Sequence, residues 1–173
     1  MHSEAAAPLL LTLQLDEPAQ SLFQALRQRH FPAARNQVPA HVSLFHALPG
    51  AEREAITRVI QALREQERPR IRVEAPRSLG HGVAFPLVSP DLLALRGRLA
   101  ASWLEWLTPQ DRARYAPHVT VQNKVTPERA RATLEQLASG FVPWCTEGTA
   151  LLLWRYLGGP WERLDCIRLA PRG

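Results

Sequence analysis

Short runs of alternating apolar and polar residues are separated by longer stretches in which apolar residues recur every three to four positions. Leu9, Leu11, Leu13 and Leu15 share one parity, and Leu10, Thr12 and Gln14 the other, which predicts a buried strand over 9–15. Asp16 is placed to cap a helix with Pro18 in its first turn and an apolar stripe at Leu22, Phe23 and Leu26. A strand from His41 to about Ala47 follows, ended by Pro49-Gly50. The clearest amphipathic signal, Ile56, Val59, Ile60 and Leu63, predicts a helix from about Ala51 to Glu67. Ile71, Val73 and Ala75 alternate with Arg70, Arg72 and Glu74 as a strand does. A glycine-containing turn over Ser78–Gly82 then leads to a strand over Val83–Val88.

The second half repeats this order. Ser89-Pro90-Asp91 opens a helix whose apolar face, with Leu92, Leu95, Leu99 and Trp106, extends to about Leu107, and a short helical turn begins at Thr108-Pro109. A strand over His118–Gln122 precedes a helix starting at Thr126-Pro127-Glu128 and carrying Ala130, Leu134 and Leu137. The rest reads as strands over Val142–Glu147, Thr149–Leu157 and Trp161–Leu169, with a hairpin turn at Gly158-Gly159-Pro160. The order predicts an α+β fold of two pseudo-symmetric lobes within one domain spanning residues 1–173. Helices would cover one face of each antiparallel-rich sheet, and the other faces would line a central cleft.

Within this pattern one tetrapeptide type occurs twice, as His41-Val42-Ser43-Leu44 and His118-Val119-Thr120-Val121, in equivalent places of the two halves. Residues two apart on a strand share a face, so each histidine lies beside its hydroxyl while the aliphatic residues point to the core. One such motif is common by chance on a half-exposed strand; a matched pair facing one cleft carries chemistry. Histidine takes and gives protons near neutral pH, and hydroxyls can hold phosphoryl oxygens.

Composition narrows the partners. The net charge is +5 with a pI near 10.2, which suits an anionic ligand or nucleic acid. Lys124 is the only lysine, however, and many arginines alternate with acids on helices, as in Glu52-Arg53-Glu54, so an arginine-rich base composition accounts for the charge equally well. Cys145 and Cys166 lack metal or redox spacing and are expected to be buried free thiols. The apolar run at 8–15 is too short and too interrupted for a signal or membrane segment, so a cytoplasmic protein without membrane association is expected.

On the two tetrapeptides, and on Tyr115-Ala116-Pro117 leading into the second, the chain resembles the 2H phosphoesterase superfamily, in particular the bacterial 2'-5' RNA ligase / 2',3'-cyclic phosphodiesterase-like family. The resemblance implies a bilobal 2H phosphoesterase fold. It implies hydrolysis of a 2',3'-cyclic phosphate of RNA or a nucleotide to a phosphomonoester, with no metal and no cofactor. Alternatives at the same site are 2'-5' RNA ligation, or nucleotide or RNA binding without turnover. Carried onto this chain, it makes His41 the general acid, His118 the general base, and Ser43 and Thr120 the phosphate-binding hydroxyls. Some RNA-processing relatives have a basic residue where this chain has Asn123, which shifts the expected substrate from a long RNA toward a nucleotide or small cyclic phosphate. A monomer is expected.

Further substrate contacts are expected from strand parity. Phe45 and Gln122 continue the two motif faces, and Thr12, Gln14 and Arg72 lie on non-core faces; Tyr115 flanks the second motif. Arg155 competes with Trp154 and Tyr156 for the inward position. His46 and His81 are expected to be structural or loop residues, His2 and His30 have no evident partner, and the five tryptophans are expected in core and interfaces.

Overall fold

A computed structural model describes residues 7–173; His2 lies outside the described residues. Among the described residues the chain forms eight strands and five α-helices. In order they are β1 (Leu9–Leu15), α1 (Glu17–His30), β2 (Val42–Leu48), α2 (Arg53–Gln61), β3 (Arg70–Val73), β4 (Arg77–Ser78) and β5 (Val83–Val88). The second part continues with α3 (Pro90–Ser102), α4 (Pro109–Arg112), β6 (His118–Gln122), α5 (Pro127–Ala138), β7 (Trp144–Tyr156) and β8 (Trp161–Arg168). The helix starts agree with the sequence signals: Asp16, Ser89, Thr108 and Thr126 each accept a hydrogen bond from a backbone N–H of the first turn.

The named strands pair antiparallel throughout, and the long β7 joins the two lobes. Its second part lies between β1 and β8, with β2 beyond β1; its first part pairs with β3, which leads to β5, and β5 in turn carries β4 and β6. The two predicted strands over 142–147 and 149–157 are therefore one. A register shift at Thr149, between the pairs Gln14–Ala150 and Leu15–Gly148, turns the strand without ending it. Gly148 faces β1 there so closely that a Cβ would lie 2.6 Å from a Leu13 methyl carbon.

Helices and sheet enclose one continuous apolar core, with Leu11 and Leu13 of β1, Ile71 and Val73 of β3, Phe85 of β5, Val119 and Val121 of β6, and Leu151 and Leu153 of β7. From α1, Phe23 reaches across to Phe85 and Trp144, with ring centroids 5.5 and 5.7 Å away. On the opposite, open face of the sheet a smaller cluster holds Leu10, Ala150, Leu152 and Trp154, with Trp161 packed on it.

Three further expectations are corrected. The helix predicted to Glu67 ends at Gln61 and continues as overlapping three-residue turns, Leu63 to Ile60 and Arg64 to Gln61, before Arg68 bonds back to Ala170. The helix predicted to Leu107 ends at Ser102, with a separate short turn after it over Leu104–Trp106. Cys145 and Cys166 are free but exposed, because their parity places them on the open face of the sheet.

Candidate active site

Each motif histidine is anchored in the same way. The His41 Nδ1 lies 2.8 Å from the Pro39 carbonyl oxygen, and the His118 Nδ1 lies 2.9 Å from that of Ala116. A carbonyl oxygen only accepts, so in both rings Nδ1 carries the proton and Nε2 is left with a lone pair. Ser43 pairs with Thr12 across β1, and Thr120 pairs with Ala84 across β5; both hydroxyl residues are half-buried on the open face. Ser43 and His118 line a common pocket, and the charge of His118 is near enough to disfavour protonation of His41.

Immediately after each hydroxyl the strand takes one extra residue. β2 advances from Ser43 to Phe45 while β1 advances one position, and β6 advances from Thr120 to Gln122 while β5 advances one position. Such bulges reverse the facing of the residues beyond them. This corrects two expected contacts: Phe45 and Gln122 are both 0% exposed. Phe45 packs edge-on to Trp103, and the Gln122 Nε2 donates to Thr133 Oγ1 of α5 at 2.8 Å.

The irregular backbone is held by buried polar groups from other elements. The Asp111 carboxylate accepts from the backbone N–H groups of His46 and Ala47 and meets the His46 ring at 2.9 Å. Burial works to raise its pKa, but these hydrogen bonds prevail and hold the carboxyl below its usual range. Arg96, from α3, donates to the carbonyls of Leu44 and Asp111 and lies over the rings of Phe45 and Tyr115. The Tyr115 hydroxyl donates to the Ser43 carbonyl at 2.8 Å, a direct tie between the motif strands, and burial raises its pKa. Buried Arg27, from α1, donates to the Thr120 carbonyl at 2.8 Å.

His41 also touches an aromatic wall. Its ring lies 4.9 Å from that of Trp161, which in turn lies 5.9 Å from Trp154. Burial, reinforced by the charges of Arg27, His118 and His46, pushes the His41 pKa down from 6.5 to about 4, against the opposing Pro39 hydrogen bond.

The remaining expected contacts divide. Thr12 is on the open face but 1% exposed, because its Oγ1 accepts from the Trp154 indole N–H at 2.8 Å; it is covered rather than available, a further correction. Gln14 is half-buried on the same face. Arg72 is exposed there and ion-paired with Glu74. Tyr115 lines the pocket with its hydroxyl already engaged. Arg155 pairs with Glu162, leaving the inward position to Trp154. His46 has its Asp111 partner, and His81 contacts the Val125 carbonyl. Sequence reasoning missed Trp161, Asp111 and Arg96, and also Arg77 and Arg114, which line the pocket beside His118. None of these had a local signal in the sequence; Arg77 even shares the parity of the apolar Ile71, Val73 and Ala75.

The fold agrees with comparison to known proteins. The family model of the 2'-5' RNA ligase superfamily matches residues 15–160. The chain belongs to this superfamily. No curated protein matches the chain. Among solved structures, TT0787 of Thermus thermophilus superposes with a TM-score of 0.67 at 18% identity, covering 96% of this chain and 100% of the other. Escherichia coli LigT complexed with 3'-AMP gives 0.65 at 16% identity, covering 95% and 99%. A protein described as a phosphoesterase gives 0.61 at 19% identity, covering 95% and 99%. These likenesses, all at 19% identity or below, show the 2H phosphoesterase fold. Among the described residues no helix is long and apolar enough to cross a membrane.

Proposed function

We propose that the chain is a cyclic phosphodiesterase that opens a 2',3'-cyclic phosphate of a nucleotide or RNA end to a phosphomonoester. The observation that carries this reading is the matched pair of imidazoles, each with Nδ1–H bound to the carbonyl two residues earlier and a hydroxyl residue two positions later on the same face. Two free Nε2 atoms allow one ring to take the proton of an attacking water while the other, as imidazolium, gives a proton to the departing ribose oxygen. The water oxygen bonds to phosphorus, one ring P–O bond breaks, and Ser43 and Thr120 donate to the non-bridging oxygens as charge develops. Escherichia coli LigT, which shares the fold, is complexed with 3'-AMP in its crystal structure.

The direction of the His41 pKa supports one assignment of the roles. With a pKa of about 4, His41 is protonated in only about one molecule in a thousand at pH 7. That is a poor resting state for an acid and the right one for a base. We therefore assign the water proton to His41 and the leaving oxygen to His118, the exchange of the roles implied by the resemblance. Replacing either histidine by alanine should lower kcat by about 10²-fold or more while the far-UV circular dichroism stays unchanged. Full activity in either variant on adenosine 2',3'-cyclic phosphate would overturn the reading.

A further inference from the structure

A cavity of about 210 Å³ opens against Ser43 and His118, and Arg77 and Arg114 stand in its wall. Arg77 reaches it from the sheet: it pairs with Ala84 on β5, and Ala84 pairs with Thr120 on β6, so the three side chains share the open face. Two strand spacings put the Arg77 backbone about 10 Å from that of Thr120, a span an extended arginine largely covers. Arg114 reaches the cavity from the segment that delivers His118, one residue before Tyr115. Neither guanidinium is paired with a carboxylate among the described residues. The cavity's one carboxylate, Asp111, is already held by the His46 ring and two backbone N–H groups. The other groups in the wall do not offset them: Arg96 is tied to backbone carbonyls, and the His46 ring, whose Nδ1 meets Asp111, adds no negative charge.

Two unpaired guanidinium groups around a small cavity leave a local excess of positive charge that an anion would neutralise. Arginine's planar fork matches phosphoryl oxygens, and the volume admits a phosphoryl group. We infer that this cavity binds a second phosphoryl group of the substrate, distinct from the one placed between the two histidines. The preferred substrate class is then a cyclic phosphate carrying another phosphate, either a 5'-terminal one or an internucleotide one. This rests on the reading of the two-histidine site as the place of reaction.

The test compares kcat/KM for adenosine 2',3'-cyclic phosphate, its 5'-phosphorylated form, and an adenylyl-adenosine dinucleotide ending in the cyclic phosphate. The wild-type protein should prefer at least one of the two-phosphate substrates by about tenfold, mainly through KM, and which one identifies the source of the second phosphate. Arg77→Gln and Arg114→Gln should each remove most of that preference. Arg58→Gln, an equal loss of charge on the distant α2, should keep it. Equal kcat/KM across the three substrates, a preference that survives both substitutions, or an equal loss in Arg58→Gln would overturn the inference. If the wild type turns over none of them, the proposed reaction fails, and calorimetry then decides the cavity alone. Adenosine 3',5'-bisphosphate binding about tenfold more tightly than 3'-AMP, dependent on Arg77 and Arg114, supports it; equal binding overturns it.

Discussion

At the scale of single residues, the site depends on how two imidazoles are held and on how differently they are surrounded. The tautomer is set by backbone carbonyls at Pro39 and Ala116, so the anchors leave no side-chain signature, although the repeat of histidine, aliphatic and hydroxyl residues is plain. The environment of His41 was not legible at all, because the Trp161 ring against it comes from the last hairpin, far along the chain. This environment makes a signed prediction. Acting as the base, His41 must be neutral, so kcat/KM should fall on the acid side only as pH drops through its pKa. That limb should centre well below 6.5, toward the value of about 4. A pH–rate profile of the free enzyme checks this, and an acid limb at or above 6.5 would assign His41 the other role. The same shift weakens the fold in acid. The unfolded chain takes up a proton at this position as pH falls through 6.5 and the folded chain only near 4, so its contribution to stability declines across that interval.

At the scale of elements, strand parity and the observed register agree on the facing of Ser43 and Thr120 and part at the next position of both strands. Phe45 and Gln122 are equivalent residues, and both are turned inward by an extra residue just past the hydroxyl. The alternation Leu44-Phe45 and Val121-Gln122 gives no warning, since a bulge is defined by its partner strand. The groups that sustain the bulges come from elsewhere: Asp111 on the backbone of β2, Arg96 on the Leu44 carbonyl, and Thr133 on Gln122. Substitutions distinguish core from contact. Phe45→Leu and Gln122→Ala should each cost about 1–3 kcal/mol in urea unfolding with KM unchanged. A raised KM at full stability would mean that these side chains face substrate after all. The capped helix starts were legible because capping is local; the early ends of α2 and α3 were not, because the turns beyond them answer to contacts such as Arg68 with Ala170.

At the scale of the whole molecule, the two-lobed order with a helix entering and leaving each motif strand was legible from periodicity, whereas the joining of the lobes through one long strand was not. β7 runs through both, bending at Thr149, and Arg27 ties the first helix to the second motif strand. A shared strand and a single apolar core predict one cooperative unfolding transition, with near- and far-UV circular dichroism coincident; two separated transitions would make the lobes independent units. This coupling matters for the proposed chemistry, in which both histidines would act at one phosphorus atom although they stand on different strands, one before β2 and one on β6. The most direct test is to follow adenosine 2',3'-cyclic phosphate by ³¹P NMR with the wild-type protein and with His41→Ala and His118→Ala at matched folding. The cyclic-phosphate resonance should be replaced by that of a single phosphomonoester with the wild type and persist with either variant. Persistence with the wild type, or conversion by either variant at the wild-type rate, would contradict the two-histidine account.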